Sequence, residues 1–179
     1  MPFRSRRVAS LTLLAAVSAS AMGSAQDSSR APLPPACTAT EHRQFDFWLG
    51  EWEVTNPAGH VVGQSRITSI LDGCVLREEW DAARGGAGTS YNIYDAKTGR
   101  WHQTWVDKQG TLLLIEGGLD TAGAMVLQNS ERRADGTAVA NRMTWTRLGR
   151  DEVRQRWDVS TDGGVTWQTS FNGLYRRKR

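Results

Sequence analysis

Histidine and cysteine are scarce in this chain of 179 residues, which contains three His and two Cys. Protein metal sites need several such side chains at close spacing, for example two His on one strand face, and no such pair occurs. His42 and His60 fall in a predicted turn and a loop, where a solvated imidazole is expected. His102 lies within a predicted strand and is the candidate for an axial haem ligand or a base, the alternative being a surface or partly packed imidazole. We therefore predict no metal and no cofactor, with haem as the alternative.

Apolar segments long enough to span a bilayer are also lacking. The apolar run at 8–17 is far shorter than the ~20 residues that a transmembrane helix needs. Residues 1–25 instead have the pattern of a signal peptide, with three Arg and no acid, then the apolar run, then small residues up to Ala25. We predict cleavage after Ala25, no membrane span thereafter, and a periplasmic or secreted protein. Export by the Sec route is favoured, and Arg6-Arg7 also admits the twin-arginine route.

Catalytic motifs are absent from the sequence. Ser90 and Ser170 lack the flanking Gly residues of a nucleophile elbow. The glycines are interpreted as turn residues, and 162–164 is typical of a hairpin rather than of a phosphate loop. Glu78 with Asp107 could form an acid/base pair, but charged groups on strands more often pair with an Arg or lie at the rim of a barrel. No catalytic residue is predicted.

The excess of basic residues belongs to the ends of the chain. The sequence has 22 Lys and Arg against 19 Asp and Glu, and removing the three Arg of the leader leaves 19 of each sign. The remaining basic run, 176–179, is interpreted as a solvated chain end. We expect no nucleic-acid partner.

Gly- and Asp-bearing turns at nearly even spacing are the main feature that the sequence does contain. They separate ten short segments without helical periodicity, which we predict to be strands: 51–55, 61–71, 75–81, 89–95, 100–107, 111–119, 124–131, 139–147, 152–160 and 167–176. Sequential hairpins favour an all-β fold, a single antiparallel up-and-down β-barrel of about ten strands. Residues 41–179 form this domain, preceded by an extended Pro- and Ser-rich arm at 26–40. A short helical turn at 41–49, with Thr40 as N-cap, is expected to plug one end.

Alternation along the predicted strands indicates which side chains point inward. Trp101, Gln103, Trp105 and Asp107 share one face of their strand, and Glu78 shares a face with Trp80. In 152–160 the inward set is Val153, Gln155, Trp157 and Val159, whereas Arg154, Arg156, Asp158 and Ser160 are predicted to face solvent. Burying unpaired amides and acids costs a few kcal/mol each, so either they line a cavity or they satisfy one another in a filled barrel.

We favour the cavity, with seven predicted ligand-binding residues: Glu78, Trp80, Asn92, Gln103, Trp105, Gln155 and Trp157. The expected ligand is a small apolar or amphipathic molecule, and the protein is expected to be a monomer or weak homodimer. The alternatives are a barrel enzyme of isomerase or hydrolase type that uses interior carboxylates, and a haem-binding barrel.

Cys37 and Cys74 both lie in the predicted mature chain. An even number of cysteines in an oxidising compartment favours a disulfide between them, which would tie the N-terminal arm to a strand. Two buried free thiols, or a catalytic thiol, are the alternatives.

A set of short motifs spans nearly the whole mature chain. They include the stretch 45–52 (Phe-Asp-Phe-Trp-Leu-Gly-Glu-Trp), Trp101-x-Gln103-x-Trp105-Val106-Asp107, and the segment 160–167 with Asp162-Gly163-Gly164. As a set they resemble an exported, calycin-like family of bacterial β-barrels, related in fold to lipocalins and fatty-acid-binding proteins. The resemblance implies a closed barrel of roughly ten strands that holds a small apolar molecule. Gly50-Glu51-Trp52 is similar to the Gly-x-Trp motif of lipocalins, which implies that Trp52 packs across the barrel floor.

Overall fold

A computed structural model describes residues 36–179, which form one closed antiparallel barrel of ten strands. The strands are β1 (Gly50–Thr55), β2 (Val61–Ile70), β3 (Val75–Ala82), β4 (Ala87–Asp95), β5 (Arg100–Asp107), β6 (Leu112–Leu119), β7 (Met125–Arg132), β8 (Ala138–Arg147), β9 (Glu152–Ser160) and β10 (Gln168–Arg177). All ten predicted strands are confirmed, with ends within two residues of the predicted ones. The predicted signal peptide and most of the predicted arm lie outside the described residues.

Each strand pairs with the next along the chain, and β1 pairs with β10 to close the barrel. Aspartates stabilise several of the hairpin turns by accepting backbone N–H groups of their own loops. Asp107 Oδ1, for example, accepts the N–H of Gln109 at 2.9 Å and that of Thr111 at 3.0 Å. Because short turns join neighbours in sequence, the up-and-down order predicted from the sequence is the order observed.

Two short 3-10 helices, Thr40–Arg43 and Asp46–Trp48, close one end of the barrel. Phe45 lies between the two helices and Trp48 lies in the second, and both are fully buried. Their rings stack, with centroids 5.1 Å apart. The predicted helical turn is therefore confirmed, but its N-cap is Ala39 rather than Thr40. The Thr40 hydroxyl is directed to the neighbouring carboxylate of Glu41 instead of to a backbone N–H.

His42 is buried and does not face solvent as predicted. Its ring packs edge-on against Tyr94 of β4, with centroids 5.1 Å apart. The turn that carries His42 folds onto the barrel, a contact between segments distant in sequence that local polarity does not reveal. His60 is exposed, as expected for its loop.

Trp52 lies at the closed end, where its side chain is fully buried. Its indole Nε1 donates to the carbonyl of Trp48 at 2.9 Å, and the Arg177 guanidinium lies 4.2 Å from the ring centroid. Arg177 also donates to the Leu49 carbonyl at 2.8 Å. Gly50 has φ +132°, and a Cβ there would collide with the Arg177 side chain. The expected floor position of Trp52 is observed, and Gly50 is needed for the approach of Arg177.

The predicted disulfide between Cys37 and Cys74 is present, with Cα atoms 5.1 Å apart. It joins the segment before the first 3-10 helix to the turn between β2 and β3. The bridge therefore holds the end-closing helices against the barrel through a covalent link. Among residues 36–179, no helix is long and apolar enough to cross a bilayer.

Asp158 and Ser160 are buried, although alternation placed them on the solvent face of β9. Asp158 does point outward, but it is covered there: it accepts from Arg156 Nε at 2.8 Å and from Thr169 Oγ1 at 2.8 Å. Ser160 Oγ accepts the backbone N–H of Gly164 at 2.8 Å. The long β9–β10 hairpin loop folds back over the outer face, so these side chains are shielded without entering the barrel.

Candidate ligand-binding cavity

Three strands carry the same pattern of an apolar residue, a polar residue and a Trp at alternate positions. β3, β5 and β9 run in the same direction, because odd strands of an up-and-down barrel are parallel to one another. The pattern therefore makes three interior layers, apolar at the closed end, polar in the middle and aromatic at the other end: Leu76, Trp101 and Val153; Glu78, Gln103 and Gln155; Trp80, Trp105 and Trp157. The first two layers are buried and the three outer Trp are half-buried.

A cavity of about 430 Å³ opens above the polar layer. Six of the seven residues predicted to bind a ligand line it: Glu78, Trp80, Gln103, Trp105, Gln155 and Trp157. Six more residues complete its wall: Asp107, Thr111, Met143, Ser170, Phe171 and Tyr175. The cavity volume lies within the usual range of ligand pockets, roughly 300–1,000 Å³. Whether these residues bind a ligand stays a prediction, and their convergence on one cavity is what the structure adds.

Three strand glycines make room for the aromatic walls. A Cβ at Gly63 would lie 2.6 Å from the Trp80 ring, one at Gly173 would lie 2.6 Å from Phe171, and one at Gly88 would overlap Trp105. The interpretation of every glycine as a turn residue is wrong for Gly117 and Gly118 of β6, and it is also wrong for these three. They lie inside strands, where the missing side chain allows a large ring to pack across the neighbouring backbone.

We predict that Gly88→Ala lowers the free energy of unfolding by about 1–3 kcal/mol, the usual cost of overpacking a tight contact. The new methyl group would overlap Trp105 and lie 2.8 Å from the backbone carbonyl of Val106, so the ring must move. Chemical denaturation and the Trp emission spectrum measure both effects. Gly118→Ala is the matched control, since a Cβ on that strand glycine meets nothing within 4 Å. Equal losses for the two variants would contradict the packing role of Gly88.

Glu78 is the buried acid of the polar layer and is only 3% exposed. Its two carboxylate oxygens accept from Ser65 Oγ at 3.0 Å and from Ser90 Oγ at 2.9 Å. Burial raises the pKa of Glu78 to about 7, although the two hydroxyl bonds favour the ionised form. Among the ion pairs of residues 36–179 none involves Glu78. This carboxyl group is therefore poised to change charge near neutral pH without a protein cation beside it.

Gln103 is held by a chain of amide hydrogen bonds that fixes its orientation. Asn92 Nδ2 donates to the Leu76 carbonyl at 3.1 Å and to Ser90 Oγ at 3.0 Å, so Asn92 Oδ1 faces away from both. Gln103 Nε2 donates to that oxygen at 2.7 Å. Gln103 Oε1 is left buried and without a hydrogen-bond partner. Asn92, predicted to touch the ligand, does not line the cavity and instead orients Gln103.

The opposite wall carries Tyr175 and Gln155. The Tyr175 hydroxyl donates to Gln155 Oε1, and Gln155 Nε2 lies 3.2 Å from Met143 Sδ. Burial and the nearby Glu78 charge raise the pKa of Tyr175 well above its ordinary value, so Tyr175 stays neutral. At the open end, Trp157 Nε1 donates to Asn141 Oδ1 at 3.0 Å, which fixes that ring.

Asp107 and His102, the other groups considered for chemistry, are placed differently. Asp107 lines the cavity, but its carboxylate accepts backbone N–H groups of its turn, and these bonds lower its pKa. His102 lies on the outer face of β5, where Nε2 is 3.0 Å from Thr104 Oγ1 and Nδ1 is 3.5 Å from Glu116 Oε1. No His is among the residues that line the cavity. Within residues 36–179, no three His, Cys, Asp or Glu side chains are grouped as a metal site would require.

The contribution of β10 to the cavity was not predicted from the sequence. Phe171, Gly173 and Tyr175 alternate along that strand, and the same period that sorted β5 and β9 would have placed them inside. Ser65 and Ser90 were also missed as partners of Glu78. Their role depends on cross-strand register, Ser90 lying directly opposite Glu78, and a single strand does not reveal it.

The chain matches no protein-family model and no curated protein significantly. The calycin-like resemblance therefore remains a prediction. The geometry of the cavity carries the functional argument.

Proposed function

We propose that this protein is an exported small-molecule-binding barrel that holds an apolar or amphipathic ligand in the cavity described above. One observation carries the proposal: an interior cavity of about 430 Å³ with aromatic walls and a polar floor. Ligand sites are mostly apolar with a few oriented polar groups, which is the composition found here. We also propose that the chain belongs to the calycin-like family that its motifs resemble. That family implies the same class of function.

A ligand-binding cavity also explains why the interior contains a polar layer, whereas a filled barrel does not explain it. Gln103 is 1% exposed and leaves one carbonyl oxygen without a partner, at a cost of about 1–3 kcal/mol. A ligand group in the cavity would recover that bond after a small shift of the Gln103 side chain, because the oxygen has almost no accessible surface in the free protein. An interior selected for stability alone would be better filled by an apolar side chain at this position.

Export is the second part of the proposal. The predicted signal peptide at 1–25 and the observed Cys37–Cys74 disulfide both fit an oxidising compartment outside the cytoplasm. After export and removal of the leader, the folded barrel would lie in the periplasm or the medium, and it would meet its ligand there.

The expected result for the purified protein is saturable quenching of Trp emission by a small aromatic ligand, together with a rise in melting temperature. Trp80, Trp105 and Trp157 line the cavity, so an occupant must contact emitting rings. Trp105→Ala should change affinity at least several-fold while the circular dichroism spectrum is retained. Mass spectrometry of protein isolated under native conditions from its own host would then identify the bound ligand.

Trp167→Ala is the matched control, because Trp167 lies on the outer loop under Arg142, with 4.1 Å between the guanidinium carbon and the ring centroid. Its affinity for the same ligand should equal that of the unmodified protein. If a panel of neutral, cationic and anionic aromatic ligands leaves both emission and melting temperature unchanged, the binding proposal is wrong.

A barrel enzyme is the second candidate, and the pKa of about 7 for Glu78 is the observation that favours it. A carboxyl group that titrates near neutral pH can act as a general base or acid. Asp107 is a poor partner, because the N–H groups that hold its carboxylate keep it ionised. The enzyme would be established instead if the protein turns over a bound molecule and Glu78→Gln abolishes this turnover while binding is retained.

A further inference from the structure

We propose that the ligand is an organic amine whose ammonium group binds Glu78 and the carbonyl oxygen of Gln103, with its apolar body between the outer Trp rings. The inference rests on the proposed binding function and names the chemical class of the ligand. Charge, hydrogen-bonding capacity and wall composition each support it.

The cavity carries acids and no base. Glu78 and Asp107 line it, whereas no Lys, Arg or His is among its lining residues. A carboxylate ligand such as a fatty acid would bring a further negative charge to the buried Glu78 without a counter-ion, which low-dielectric surroundings disfavour strongly. A ligand cation would instead supply Glu78 with the partner that the described protein side chains do not provide.

The donors of the polar layer are already used in hydrogen bonds within the layer. What the layer still needs is a donor that a ligand would supply. Ser65 and Ser90 direct their hydroxyl hydrogens to Glu78, and Asn92 directs its amide to Ser90. The amide of Gln103 is also committed to Asn92, and its Oε1 remains free. An ammonium group has several donors and could serve Glu78 and, after a small shift of the Gln103 side chain that exposes the sealed Oε1, Gln103 as well.

A ligand that accepts hydrogen bonds fits the polar layer less well than one that donates them. A protonated Glu78 could donate to a ligand carbonyl, but that ligand would leave Gln103 Oε1 unpaired in a buried position. Rotating the Gln103 amide to offer its N–H groups would bring its oxygen against Asn92 Oδ1. Asn92 cannot rotate in response, because its Nδ2 bonds the Leu76 carbonyl, which only accepts.

The aromatic wall suits the same ligand. Trp80, Trp105 and Trp157 lie one layer outside the acid, so a cation that reaches Glu78 must pass between rings. Indole rings attract cations through their negative faces, and this attraction strengthens when water is excluded. The rings also provide the apolar surface that the body of an amphipathic amine would cover.

Three naphthalene probes of nearly equal size test the inference: 2-naphthylmethylamine, 2-naphthylmethanol and 2-naphthoate. Their affinities for the purified protein at pH 8 would be measured by calorimetry. We expect the amine to bind roughly ten- to a hundredfold more tightly than the carboxylate, with the alcohol between them, as for hydrogen bonds to a charged group. Glu78→Gln should remove most of the advantage of the amine, whereas Glu79→Gln, one residue along β3 and on the outer face, should leave it unchanged.

The pH dependence gives an independent readout. The other titratable groups in the cavity are Asp107, whose pKa is lowered, and Tyr175, whose pKa is raised, so neither changes charge between pH 5 and pH 8. Protonation of Glu78 at pH 5 should therefore weaken amine binding about tenfold or more, with proton release on binding at pH 6. Binding of the alcohol should change little.

The outcomes separate this inference from the proposed function. Equal affinities of the three probes, or tightest binding of the carboxylate, would overturn the amine inference while leaving a binding barrel. Amine binding that survives Glu78→Gln with unchanged affinity would also overturn it. Failure of all three probes to bind or to shift the melting temperature would count against the binding function itself.

Discussion

Trp52→Ala should lower the free energy of unfolding by about 3–5 kcal/mol, the range for deletion of a large buried aromatic side chain. Trp52 is fully buried, and it contacts Tyr175 with ring centroids 6.4 Å apart. Its loss also removes the hydrogen bond to the Trp48 carbonyl and the surface on which the Arg177 guanidinium rests. Denaturant titration of the oxidised protein, followed by circular dichroism, measures the effect.

Trp167→Ala is the comparison for the same measurement. That ring is half-buried on the outer face, where Arg142 covers it, and its removal should cost about 1 kcal/mol, as for an exposed cation–π contact. Comparable losses for Trp52 and Trp167 would mean that the closed end of the barrel contributes no more to stability than its outer surface.

The strand order and most of the cavity wall could be predicted because both follow from local rules. Alternation places every second side chain inside, so Gln103 and Trp105, or Gln155 and Trp157, were paired correctly from one strand at a time. Turn residues then marked the strand ends. The period of two along β3, β5 and β9 was sufficient to collect seven of the twelve lining residues, namely Asp107 and the six that were also predicted to bind the ligand.

The parts that could not be predicted depend on contacts between distant segments. Asp158 is outward-facing yet buried, since Arg156 and Thr169 cover it. Asn92 is inward-facing yet absent from the cavity wall, because its amide is fully buried in hydrogen bonds to neighbouring strands, including the one from Gln103. Neither outcome is visible in the alternation of one strand, because each is decided by which side chains lie across the sheet.

The pH dependence of stability is the second large effect that we expect, and it comes from Glu78. Burial raises the pKa of this carboxyl group from 4.5 to about 7, so the folded state holds the proton more tightly than the unfolded chain. The contribution to stability is full below about pH 4.5 and is lost as the pH rises through about 7. At 1.36 kcal/mol per pKa unit, Glu78 should make the protein roughly 2–3 kcal/mol less stable at pH 8 than at pH 5, because the unfolded carboxyl is already largely ionised at pH 5.

Glu78→Gln removes this titration while keeping the size of the side chain. The variant should therefore match the unmodified protein at pH 5 and exceed it at pH 8, and the difference between the two at each pH cancels all other titrating groups. Glu79→Gln tests whether position matters, because Glu79 is exposed on the same strand and pairs with Arg77 at 3.1 Å. A difference between Glu78→Gln and the unmodified protein that stays constant from pH 5 to pH 8 would show that the polar layer holds the carboxylate ionised without cost. Water or protein dipoles would then already supply the compensation that we assign to a ligand cation.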